Sequence, residues 1–106
     1  MSLMYNNNLP SIDLHGENRG SARVLVKEFI IDCYSVGKYE LAIIHGIGQG
    51  ILKKEVHDML RISKYVEDFK LDNFNSGCTL VKLKENIDKK ALIKYNNRHN
   101  SKGEKI

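Results

Sequence analysis

This sequence predicts a small α/β protein of the two-layer α+β kind. A four-stranded mixed sheet carries two helices on one face, in the order β-α-β-α-β-β, with a short C-terminal helical tail. Three observations lead there. Ser11 to His15 alternates, sending Ile12 and Leu14 to one side and Asp13 and His15 to the other. Leu41-Ala42-Ile43-Ile44 is a short continuous apolar run followed by glycines, as in a buried strand. Between them Ala22, Leu25, Val26, Phe29, Ile30 and Cys33 recur three and four residues apart and make one apolar stripe on a helix.

The elements follow in order. Residues 1–10 are polar, rich in Asn and end in the only proline, Pro10, and read as a flexible lead-in. After the first strand, Asn18 has the side chain of a helix N-cap, and Gly37 ends that helix. Arg23, Lys27 and Asp32 fall on its wet side. Glu40 to His45 is the second strand, parallel to the first, so that strand, helix and strand form a right-handed βαβ unit. Leu52, Val56, Met59 and Leu60 mark a second amphipathic helix, with Lys53, Lys54, Glu55, His57, Asp58 and Arg61 on its open side. Tyr65 to Leu71 is a third strand and Cys78 to Lys84 a fourth, joined antiparallel through a turn over residues 72–77. A last short helix is expected through Leu92 and Tyr95. The resulting division is a lead-in (1–10), a domain (11–84) and a basic tail (85–106).

At 106 residues the chain suffices for one small core, and 42% hydrophobic with 28% charged residues describes an ordinary globular protein. No apolar run reaches the roughly 20 residues that span a bilayer. The first residues lack the charged-then-apolar layout of a secretory signal. Cys33 and Cys78 lie far apart, outside any zinc-type spacing, and are expected as two buried reduced thiols in a cytoplasmic protein. Of the net charge of +4, most sits in residues 85–106, which hold six basic and three acidic side chains. Such a tail raises nonspecific affinity for nucleic acid by counterion release, or is simply a solvated helix end.

Chemistry concentrates in two segments, Ile12-Asp13-Leu14-His15-Gly16 and His45-Gly46-Ile47-Gly48-Gln49-Gly50. Alternate glycines at Gly46, Gly48 and Gly50 let the backbone turn tightly and approach a ligand, and the following helix offers free N–H groups to an anion. The same pattern also serves as a plain turn. It is neither a Walker loop nor the dinucleotide fingerprint. A histidine titrates near neutral pH, and a neighbouring carboxylate orients it or holds Mg²⁺. Asp13 and His15 are thus candidates for acid–base work, although a strand-end pair of this kind also makes local hydrogen bonds. Two parallel strands would bring Asp13, His15, His45 and the glycine loop to one rim, at the carboxyl ends where ligands bind open sheets. Lys53 and Lys54, in the first turn of the second helix, are candidates for phosphate contact or plain surface lysines. His57 is expected solvated, and His99 lies in the tail. Tyr34, Tyr39, Tyr65 and Tyr95 are expected as packing or rim residues.

These two segments, a helix apart, resemble the Smr (small MutS-related) domain, a family marked by an LDLHG segment and an HGxGxG segment at this separation. Val66 and Ser76-Gly77-Cys78-Thr79 resemble its later pattern of a valine entering a strand and a glycine turn before the last strand. The likeness covers residues 11–84. Three departures stand out: Ile47 where a basic residue often follows the first loop glycine, Lys53 where arginine is common, and a turn at Asn75-Ser76-Gly77 less rich in glycine. The resemblance implies DNA or RNA binding, often with DNA-nicking or RNA-cleaving endonuclease activity, in DNA repair, recombination or RNA quality control. It places Asp13, His15 and His45 at the catalytic segments and Gly46, Gly48, Gly50, Lys53 and Lys54 at phosphate. Mg²⁺ would fall to Asp13, if a metal is used. The alternative is a non-catalytic DNA- or RNA-binding module serving a partner or a larger chain. No membrane or small-molecule cofactor is expected. Oligomeric state is open, with the monomer as default.

Overall fold

The computed structural model describes residues 9–85. The elements are β1 (Ser11–Asp13), α1 (Arg19–Ser35), β2 (Glu40–Ile44), α2 (Ile51–Ile62), β3 (Val66–Asp72) and β4 (Asn75–Leu83). They form one mixed sheet in the order β1-β2-β4-β3, with β1 and β2 parallel and the other two pairings antiparallel. The expected architecture is therefore present. The expectations for the lead-in through residue 8 and for the tail helix lie outside the described residues.

Register decides which side chains meet the helices. Ile12 stands opposite Ile43, Ile43 opposite Thr79, and Leu41 opposite Val81. Leu41, Ile43, Val81 and Leu83 join Ala22, Val26, Ile30 and Cys33 of α1 and Val56 and Leu60 of α2 in one buried cluster. Both helices thus cover the same face. Burying a Leu or Ile side chain in such a cluster contributes about 1.5–3 kcal/mol each. Both cysteines are free and buried, as the sequence suggested.

The helix ends follow from local chemistry. The Asn18 carboxamide oxygen accepts the Ser21 N–H at 2.8 Å and starts α1. Gly37, at φ 78°, closes it, and the Lys38 N–H donates to the Cys33 carbonyl at 2.8 Å. Across the helix pair, the Arg23 Nε donates to Glu55 at 2.8 Å.

The last connection is tighter than the sequence suggested. A polar turn was expected over residues 72–77, but β3 continues to Asp72 and β4 begins at Asn75, with those two residues paired. Only Asn73 and Phe74 form the turn. The polar residues serve it from within the strands: Asp72 accepts the Phe74 N–H and Asn75 accepts the Gly77 N–H, each at 2.9 Å.

Candidate functional site

Because β1 and β2 run parallel, both chains leave the sheet at the same end. The Leu14 N–H donates to the Ile44 carbonyl at 2.7 Å, one residue beyond the last β1 pairing. Leu14 points into the core and is fully buried, which turns Asp13 and His15 outward. The Asp13 carboxylate then accepts the His15 N–H at 2.9 Å, and the Glu17 N–H donates to the Leu14 carbonyl at 2.9 Å. This local turn presents the His15 imidazole on the surface.

The glycine loop leaves β2 beside it. Gly46 and Gly50 hold φ values of 83° and 81°, a left-handed backbone that costs other residues roughly 1–2 kcal/mol. Gly50 is the N-cap of α2, so no side chain closes that helix end, and no acid stands in the first turn. A helix start of this kind leaves first-turn N–H groups without intrahelical partners beside the positive end of the dipole, an arrangement chemically suited to an anion. The loop is fastened to β4 from behind: the Gly77 carbonyl accepts the His45 N–H at 2.9 Å and the Gly46 N–H at 3.0 Å.

These pieces line one cleft of about 440 Å³, formed by His15, Gly16 and residues 45–53. His15, His45, Gly46, Gly48 and Gly50 therefore come together, as the parallel strands suggested, and Lys53 lines the cleft with them. Asp13 does not line the cleft; it holds the turn that carries His15. Lys54 does not line it either, and its ammonium pairs with Asp58 at 2.9 Å. A second groove of about 510 Å³ lies between α1 and α2, lined largely by apolar side chains such as Val24, Ile31, Met59 and Ile62. None of the sequence-predicted site residues reaches it.

His45 is buried, with 5% of its surface exposed, and both of its ring nitrogens are engaged. Nδ1 stands 3.0 Å from the Gly46 carbonyl oxygen and Nε2 2.9 Å from the Thr79 hydroxyl. Burial pushes its pKa below the ordinary histidine value; the Gly46 carbonyl works the other way, and the Lys53 ammonium adds to the lowering. His57 is not the solvated residue expected from the sequence. It is half-buried, its Nε2 lies 2.7 Å from the same Thr79 hydroxyl, and its ring packs on Phe69 with centroids 5.0 Å apart. Burial again lowers its pKa, followed by the charges of His45, Lys53 and Arg61, while Asp58 opposes.

Sequence reasoning missed Thr79 and misplaced His57. Both left a trace. Thr79 shares the alternation of Val81 and Leu83, so its hydroxyl falls where the core expects a hydrocarbon. His57 follows Lys53 by one helical turn and precedes Leu60 by another, which puts it on the inner flank of α2.

Among the described residues no helix is long and apolar enough to cross a membrane. The Smr domain family model matches residues 12–84. "Endonuclease MutS2" of Caldanaerobacter subterraneus subsp. tengcongensis is 38% identical over 77 residues, covering 70% of this chain and 10% of the relative. "Endonuclease MutS2" of Clostridium perfringens strain SM101 is 35% identical over 72 residues, covering 68% and 9%. The chain thus spans about a tenth of the length of these curated relatives. The crystal structure of the Smr domain of Thermus thermophilus MutS2 superposes with a TM-score of 0.70 at 28% identity, over 72% of this chain and 99% of that one. YdaL, a stand-alone small MutS-related protein from Escherichia coli, gives 0.68 at 24% identity over 71% and 64%, a likeness of fold alone.

Proposed function

The chain belongs to the Smr domain family, and on that basis we propose that it is a nucleic-acid-binding endonuclease domain that acts on phosphodiester bonds. One observation carries the reading: a surface imidazole, His15, shares a cleft with a glycine loop and the uncapped start of a helix. A backbone phosphate seats on the loop amides, with Lys53 beside it. His15 transfers the proton, since it is exposed whereas both nitrogens of His45 are held inside the protein. Asp13 fixes the His15 backbone. The attacking group is water or a ribose 2′-hydroxyl, and charge stabilisation at phosphorus is the largest catalytic contribution. Among the described residues no three His, Cys, Asp or Glu side chains gather around a point where an ion would sit; Asp13, exposed at the end of β1, is the carboxylate that would hold Mg²⁺ beside a bound phosphate. The buried free thiols of Cys33 and Cys78 suit a reducing, cytoplasmic setting.

A second reading, a DNA- or RNA-binding module without cleavage, is favoured by the engagement of Asp13 and His45 in local hydrogen bonds. Supercoiled plasmid and labelled single-stranded RNA, each with Mg²⁺ and with EDTA, separate the two. Cleavage of either substrate that disappears in His15→Ala establishes the enzyme and names its nucleic acid. Binding without cleavage by the wild-type protein establishes the module.

A further inference from the structure

Thr79 is fully buried, and its hydroxyl stands between two imidazoles, 2.9 Å from His45 Nε2 and 2.7 Å from His57 Nε2. The order of the hydrogens follows from the one partner that can only accept. The Gly46 carbonyl takes the hydrogen of His45 Nδ1. Neutral His45 then has a bare Nε2, and the Thr79 hydroxyl donates to it. The remaining capacity of Thr79 is for acceptance, so His57 donates from Nε2. His57, Thr79, His45 and Gly46 therefore form one directed chain of hydrogen bonds from α2, through β4, to the first residue of the glycine loop.

Burial keeps both histidines on the neutral side, in agreement with this order. The charged groups acting on the pair are Lys53, Arg61 and Asp58 of α2, while β3 contributes the Phe69 ring. We propose that Thr79 and His57 are positioning residues: they hold His45 in the Nδ1–H tautomer and so pin the Gly46 carbonyl, which sets the loop that receives phosphate. The phosphate part rests on the function proposed above; the tautomer part does not.

The test is imidazole nitrogen NMR on uniformly ¹⁵N-labelled protein just above neutral pH, alongside fluorescence anisotropy with a labelled single-stranded oligonucleotide. The wild-type protein should carry its hydrogen on Nδ1 in His45 and on Nε2 in His57. Thr79→Val removes the hydroxyl and should mix the tautomers, move the Gly46 amide signal and weaken oligonucleotide binding about five- to tenfold. Thr79→Ser should restore all three. His57→Phe, at a half-buried position that tolerates a ring, should move the Gly46 amide even if Thr79→Val fails to fold. His45 found with its hydrogen on Nε2, or Gly46 unmoved in both folded variants, overturns the proposal. Correct tautomers and a Gly46 signal that follows Thr79, in a protein that binds no oligonucleotide, uphold the positioning role and reject the phosphate reading alone.

Discussion

Gly77 lies so close to Gly46 that a Cβ on it would stand 3.1 Å from the Gly46 carbonyl carbon and 3.3 Å from its Cα. That carbon meets backbone, which cannot swing aside as a side chain does. Gly77→Ala should therefore displace the glycine loop, with a stability loss of about 1–3 kcal/mol. Urea denaturation measures the loss, and a larger fall in oligonucleotide affinity than in stability would trace it to the loop. Unchanged affinity and midpoint would show that the loop yields freely.

His15 is the surface imidazole of the cleft, and its removal separates chemistry from binding. In His15→Ala, cleavage should fall roughly a hundred- to ten-thousandfold, the range for one general acid or base, while oligonucleotide affinity holds within a few fold. Single-turnover rates at saturating protein read the first quantity and anisotropy the second. A parallel fall of both would recast His15 as a binding residue.

The two lysines at the start of α2 have different surroundings. Lys53 lines the cleft, whereas Lys54 is paired with Asp58. Lys53→Ala should lower nucleic-acid affinity and reduce the slope of log affinity against log salt by about one. Lys54→Ala should leave the slope nearly unchanged. Salt titrations of the two variants with the same oligonucleotide decide it, and equal slopes would contradict the assignment.

Acid should loosen the fold through the histidine pair. The folded pKa values of His45 and His57 lie below the ordinary value of 6.5 at which the unfolded chain takes up protons. The unfolded state therefore binds more protons in the window between the two values. Their contribution is fully present above the unfolded value and is lost as pH falls through the folded ones. Urea midpoints should be level between neutrality and the ordinary thiol value of 9.0, above which the buried Cys33 and Cys78 favour the unfolded chain, and should decline below 6.5; His57→Phe should flatten part of the acid decline. A midpoint that rises on acidification would reverse the sign and reject the neutral pair.

Much of this was legible in the chain. Alternation at Ile12 and Leu14 and the apolar run Leu41–Ile44 gave the parallel pair, and with it the meeting of His15, His45 and the glycine loop. That convergence needs only topology, because parallel strands share their exit. What escaped depends on side chains whose partners are distant in sequence. Thr79 and His57 meet across 22 residues, and Thr79 and His45 across 34, separations at which no local periodicity operates. The Asn, Ser and Gly content of residues 72–77 predicts a turn, yet Asp72 and Asn75 remain in the ladder while their side chains satisfy the backbone beside them.

Among the described residues β1 has a neighbour on one side only, and it is three residues long. Its ladder is correspondingly short, and such margins are the first parts of a domain to detach in native-state fluctuations. Amides of residues 12–14 should thus exchange with deuterium well before those of β2 and β4 in the sheet interior. The strand that bears Asp13 and leads into His15 is then the most detachable segment of the sheet. A nucleic acid bridging His15 and the loop would act as a clasp across it, slowing that exchange in proportion to its own occupancy.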